Sequence, residues 1–198
     1  ALRWRLLDVR YVITWRGSLV TREGTPVEAE MIYHEGEGKE ATYLYRLTED
    51  YPHAWVVHEA RVVNGEEAVF AALRDPAFDP DREAVVEQTL PLGLAPATGA
   101  ETVEMVEYTP QRVVLRVHLT APGLVVLSDA HFPGWRARVD GRGMPLLRAD
   151  GALRAVTVEA GEHRIEIVYQ PRSLTVGAAI SGVTILLTLT WVMARRRR

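Results

Sequence analysis

The sequence predicts a mainly β chain: an antiparallel β-sandwich with one short helix, followed by a C-terminal transmembrane helix. Three observations carry that expectation. Apolar residues alternate with polar ones over several short runs, the period of strands with one buried face. Turn residues punctuate those runs at Pro122-Gly123, Pro133-Gly134, Asp140-Gly141, Asp150-Gly151 and Gly161. Finally, residues 174–194 contain no charge and stop on Arg195, Arg196, Arg197 and Arg198.

In chain order, residues 9–14, 42–47 and 54–59 read as strands. Asn64 then offers an N-cap, with Glu67 completing an Asn-x-x-Glu capping box. Ala68, Val69, Ala71, Ala72 and Leu73 continue that helix until Asp75-Pro76 ends it. A short strand near 84–88 follows. Residues 90–99 hold two prolines, two glycines and no charge, which marks a linker. Beyond it, six short strands are expected between about Val103 and Tyr169. Val113, Leu115, Val117 and Leu119 form one alternating face, Trp135, Ala137 and Val139 a second, Ile165, Ile167 and Tyr169 a third. Asp-Gly between such runs is a hairpin signal. The expected organisation is therefore an α+β segment over 1–95 packing on a sandwich over 96–172. A transmembrane helix over 173–194 and a basic tail over 195–198 complete it.

The uncharged run measures roughly 32 Å as a helix, enough for a hydrocarbon core of about 30 Å. Four arginines directly behind it read as a cytoplasmic anchor, which puts residues 1–172 outside the cytoplasm and makes the lipid bilayer the first partner. Gly177, Ala178, Ser181 and Gly182 give the helix a small-residue face with small-xxx-small spacing, suited to docking on other transmembrane helices. Of 23 basic residues, those four arginines are the only ones beyond position 172, so 19 bases face 26 acids in the outer part. That acidity argues against nucleic acid. The absence of cysteine excludes disulfides and thiolate metal sites. The chain opens without Met on an apolar, partly basic run, as expected of the C-terminal piece of something longer.

Three groups of residues bear on chemistry. Ser128, Asp129 and His131 hold the residue types of a hydrolase triad, but a triad needs groups converging from separate elements. Asp129 and His131, two apart at a strand end, suit a loop pair better than a metal site, because the other histidines are scattered. Trp135, with Phe132, Arg136 and Arg138 nearby, reads as a sugar platform or, more simply, as the start of a strand's apolar face. Asp129, His131 and Trp135 are the ligand-binding candidates. No catalytic residue, metal site or cofactor is expected.

The segment Leu124-Val-Val-Leu-Ser-Asp-Ala-His-Phe-Pro-Gly-Trp-Arg-Ala-Arg-Val-Asp-Gly141 resembles the C-terminal region of bacterial YfhO-like membrane proteins. So do Leu6-Leu-Asp-Val-Arg-Tyr-Val12, Tyr51-Pro-His-Ala-Trp-Val56, Asp75-Pro-Ala-Phe-Asp-Pro80 and Tyr169-Gln-Pro-Arg-Ser173. His53 stands where those proteins usually carry Arg. The resemblance implies a polytopic membrane enzyme of the GT-C glycosyltransferase type. Such an enzyme moves sugar from a polyprenyl-phosphate carrier to an envelope acceptor such as teichoic acid. Its catalytic acids would lie in early outer loops that this chain lacks, so this piece is expected to be an outer accessory domain with the last membrane helix. The resemblance also implies lipid-linked sugar or envelope glycopolymer as partners. The rival expectation is a single-pass, membrane-anchored sandwich that binds carbohydrate or protein without catalysis.

Overall fold

The computed structural model describes residues 5–21, 24–48 and 51–196. Among these residues, three sheets and two long α-helices account for the strand and helix patterns above. A small sheet, ordered β1-β3-β2, is built from β1 (Tyr11–Thr14), β2 (Ala29–Glu35) and β3 (Thr42–Leu47). The next strands are β4 (Ala54–Val57), β5 (Glu59–Val62) and β6 (Glu83–Val86), with helix α1 (Glu66–Arg74) between the last two. After them come β7 (Thr102–Thr109), β8 (Arg112–Leu119), β9 (Gly123–Ala130) and β10 (Trp135–Val139). The chain closes with β11 (Arg142–Met144), β12 (Leu147–Ala149), β13 (Leu153–Val158), β14 (Gly161–Tyr169) and helix α2 (Arg172–Arg196).

A five-stranded sheet, ordered β11-β10-β14-β8-β7, packs on a six-stranded sheet, ordered β4-β9-β13-β12-β6-β5. Between them Val113, Leu115, Val117, Leu119, Ile165 and Ile167 meet Val125, Leu127, Val156 and Val158. Each such side chain contributes roughly 1.5–3 kcal/mol by leaving water. The opposite face of the six-stranded sheet is buried too. There Trp55, Val57, Leu124, Val126, Leu147 and Ala155 pack with Phe78 and with Val69 of α1. A sheet covered on both faces has no solvent side, so β9 opens on the continuous apolar run Leu124–Leu127, while β13 buries Arg154 and Thr157 among its apolar residues.

The strands pair antiparallel except β5 and β6, which α1 joins as a parallel crossover unit. The run expected as one strand over 54–59 breaks at His58. Its halves, β4 and β5, lie at opposite edges of the six-stranded sheet, so the sheet curls until those edges meet at His58. His58 is held there through Nδ1 to the Pro122 carbonyl at 3.2 Å and Nε2 to Glu101 at 2.8 Å. The boundary expected at residue 95 consequently runs through this sheet, which takes β4, β5 and β6 from one side of it and β9, β12 and β13 from the other.

Two turns match their sequence signals. Asp140-Gly141 and Asp150-Gly151 all have positive φ, the primed geometry that suits tight hairpins. The helix start differs from expectation. Gly65, not Asn64, occupies the N-cap of α1, at φ +86 and without a side-chain cap, so the capping box does not form. At the other end of the chain, β14 stops at Tyr169 and α2 begins at Arg172, leaving Gln170 and Pro171 as the link. Within α2, Val176–Arg195 is long and apolar enough to cross a membrane. Thr184, Thr188 and Thr190 return their hydroxyl protons to helix carbonyls, which leaves no unsatisfied donor on this surface from those three side chains. A Cβ at Gly177 or Gly182 would meet nothing within 4 Å. Arg197 and Arg198 lie outside the described residues.

Candidate functional site

At the end of the sandwich from which α2 leaves, β9 carries a bulge. Leu127 pairs with Arg154 and Ala130 with Leu153, so Ser128 and Asp129 lack register partners in β13. A bulge re-aims side chains, and this one turns Asp129 toward Arg154. A second bulge, between Met105 and Glu107 in β7, shifts the alternation by one. Tyr108 then shares the face of Val103 and Met105, while staying 55% exposed at the end of the sheet. The Tyr108 hydroxyl donates to Asp129 at 3.0 Å.

His53, just before β4, completes the group. Its Nδ1 lies 3.1 Å from Asp8 and its Nε2 3.5 Å from Asp129, the latter without closing a hydrogen bond. Tyr108 meets the imidazole edge-on at 4.9 Å. Arg154, only 6% exposed, donates from Nε to the Ala130 carbonyl at 2.9 Å and reaches Asp129 at 3.4 Å. Its guanidinium lies 3.7 Å over the Trp135 ring, which in turn packs on Tyr169 at 5.3 Å.

Electrostatically the members of the group shift one another. Asp129 raises the His53 imidazole, burial opposes that, and Asp8 adds to the rise. Burial works to raise Asp129, but His53, the Arg154 charge and the Tyr108 hydroxyl together hold it below the usual carboxylate range. Burial lowers Arg154, which stays cationic because a guanidinium does not deprotonate in proteins. Burial, then the Asp129 charge, pushes the Tyr108 hydroxyl up. Two carboxylates, Asp8 and Asp129, thus share the His53 imidazole, with Arg154 on Asp129 and Arg10 on Asp8 at 3.3 Å. The arrangement ties the N-terminal segment to both sheets and offers no nucleophile–base pair.

The candidate residues fare differently. Asp129 and Trp135 are brought together, through Arg154. His131 is not: its backbone N–H donates to Ala152 at 2.6 Å, while its side chain makes no hydrogen bond or ion pair among the described residues. The Ser128 hydroxyl donates to the Leu6 carbonyl at 2.8 Å and is unavailable to a triad. Trp135 packs against the core between the sheets, and Arg154 covers one of its faces. It also walls a recess of about 560 Å³ bounded by Phe132, Gly134, Arg136, Tyr169, Pro171 and Ser173. Sequence reasoning missed Asp8, Tyr108 and Arg154, and noted His53 only as a departure. Arg154 had a signal: a charged residue inside the buried run Leu153–Val158 demands a partner.

A second cavity, of about 330 Å³, lies beside the β12–β13 turn between Leu6, Leu7, Phe70, Leu73, Arg74 and Asp150. Asp150 accepts the Val85 N–H at 2.8 Å, while its other oxygen is buried without a partner. Burial pushes its carboxyl up to about 7.

Residues 97–181 match the family model described as bacterial membrane protein YfhO. The chain is also similar to a Bacillus subtilis (strain 168) protein named "Uncharacterized protein YfhO", at 23% identity over 96 residues. That match covers 48% of this chain and 11% of the relative, so the chain represents a small part of the relative's length. No solved structure matches the chain.

Proposed function

We propose that this chain, a YfhO-like region of a bacterial membrane protein, is an outer accessory domain plus the last membrane helix of a polytopic protein that transfers sugar. The donor would be a polyprenyl-phosphate carrier and the acceptor a cell-envelope polymer. The observation that supports this reading is the mounting: a sandwich packed on both faces of its central sheet and joined to a membrane helix through Gln170 and Pro171 alone. Such a body is stiff and holds a neighbour in place rather than housing a reaction. Gly177, Ala178, Ser181 and Gly182 supply a close-packing face toward the other helices of the parent chain. Arg195 to Arg198 fix the cytoplasmic end, and Arg195 stacks on Trp191 at 4.1 Å.

The test uses the full-length protein in its host. A cysteine placed at Glu159, in the β13–β14 turn, is expected to react in intact cells with a membrane-impermeant maleimide. Excision of residues 5–169 is expected to lower the sugar content of the envelope polymer while lipid-linked sugar accumulates. Labelling only after lysis, or unchanged polymer, overturns the reading. Gly177→Ile in the same protein is expected to lower its melting temperature in detergent. An unchanged melt removes the packing-face role.

A further inference from the structure

Strand direction fixes which end of the sandwich faces the bilayer. β14 runs toward α2, so whatever lies beside Tyr169 lies at the membrane. Tyr169 donates its N–H to the Gln111 carbonyl of the β7–β8 turn at 2.9 Å, and Gln170 donates to the Gly134 carbonyl at 2.6 Å. From Gly134 the chain of contacts continues through His131 to Ala152, in the β12–β13 turn, and on through the smaller cavity to the last turn of α1. The opposite end holds the β8–β9, β10–β11 and β13–β14 connections.

The membrane-facing end carries Phe132 at 60%, Leu7 at 58% and Phe70 at 44% exposure. Such large apolar groups find no cover within the described residues. Two of them have an arginine four positions later: Arg74, whose guanidinium lies 5.8 Å from the Phe70 ring, and Arg136, on the wall of the larger recess. Both arginines are exposed, and neither has an acidic partner among the described residues. Trp135 and Tyr169, half-buried beside the first turn of α2, have the amphipathic character of aromatic residues at membrane–water boundaries.

We infer that this end of the sandwich is a second membrane contact, resting on the lipid headgroup layer. Phe132, Phe70 and Leu7 enter the acyl boundary while Arg136 and Arg74 engage lipid phosphates. Each pairing couples apolar burial to attraction for anionic lipid, the combination that holds proteins at an interface. The inference rests on the membrane crossing by α2 and is independent of sugar transfer.

The chain contains no cysteine, so single spin labels can be introduced into it cleanly. The full-length protein, freed of any other cysteine, is labelled separately at Phe132, Phe70 and Glu159. Each form enters nanodiscs of phosphatidylcholine with phosphatidylglycerol. The labels at 132 and 70 are expected to collide preferentially with oxygen, several-fold above the oxygen-to-nickel-chelate ratio at 159. In the double variant Arg74→Gln, Arg136→Gln, that preference is expected to fall. Nickel accessibility equal to that at 159 places the end in water and overturns the inference. Shielding from both reagents, the outcome for a protein partner, overturns it as well. Near-ultraviolet circular dichroism identifies any variant that has lost its packing. For such a variant the labels are moved to Leu7 and Pro133, with the same two outcomes deciding.

Discussion

Arg154 holds the site together because it serves three neighbours at once: a carbonyl, a carboxylate and an indole face. Removing one member of a buried ion pair costs about 3–5 kcal/mol, since the survivor keeps its desolvation. Arg154→Ala is therefore expected to lower unfolding free energy by roughly that amount, read from denaturant melts. Asp129→Asn with Arg154→Met, which removes both charges, should recover part of the loss. The same group predicts a pH profile. His53 is raised above 6.5, so its contribution is complete below that value and is lost as pH rises through the folded one. Asp129 is lowered below 3.8, so its contribution is present above that value and is lost as pH falls through the folded one. Asp150 adds a loss at lower pH: raised from 3.8 to about 7, its neutral form suits the fold, and stability falls as pH rises across that window. Asp150→Asn keeps an acceptor for the Val85 N–H and tolerates the left-handed φ of +49. It is expected to flatten stability between pH 4 and 7. His53→Arg should remove the histidine's share of the alkaline loss, as thermal melts at stepped pH would show.

At the scale of elements, the turns were legible and the bulges were not. Asp-Gly demands positive φ twice in succession, and few geometries other than a tight hairpin use it. A bulge leaves no such mark. In Thr102–Thr109 the pattern gives Val103 and Met105 one face, and nothing in the next residues says that Val106 will be skipped. Tyr108 consequently reads as an outward residue, and its partnership with Asp129 stays hidden. β2 was missed for a related reason: Met31, Ile32 and Tyr33 are consecutive and all exposed, so neither alternation nor burial announces a strand. The junction with α2 offers a test at this scale. Gly134 has φ +106, and a Cβ there would stand 2.8 Å from the Tyr169 ring and 3.3 Å from Pro171. Gly134→Ala is expected to destabilise by about 1–3 kcal/mol through overpacking. It should also shift the Trp135–Tyr169 contact, which near-ultraviolet circular dichroism would register.

For the whole molecule, the sequence separated membrane helix from strand-rich body correctly, because 21 uncharged residues have few soluble uses. The boundary expected at residue 95 crosses a sheet that both sides share. The linker over 90–99 is real as a strand-free stretch, yet strands before and after it pair side by side, and no composition signal reports pairing across such distances. Residues 96–172 alone would leave β9 without β4 and β12 without β6, exposing Leu124, Val126 and Ala155. That fragment is expected to show no cooperative thermal transition, whereas 5–172 should melt in one step. A sharp melt of the shorter piece would refute the shared-sheet account. The two-residue link between β14 and α2 has a mechanical corollary. With no hinge to absorb rotation, body and helix tilt as one lever, and β14 alone reaches roughly 30 Å from its pivot. A tilt of about 10° in the bilayer would swing the far turn by roughly 5 Å, converting a small tilt of α2 into a displacement at the distant tip.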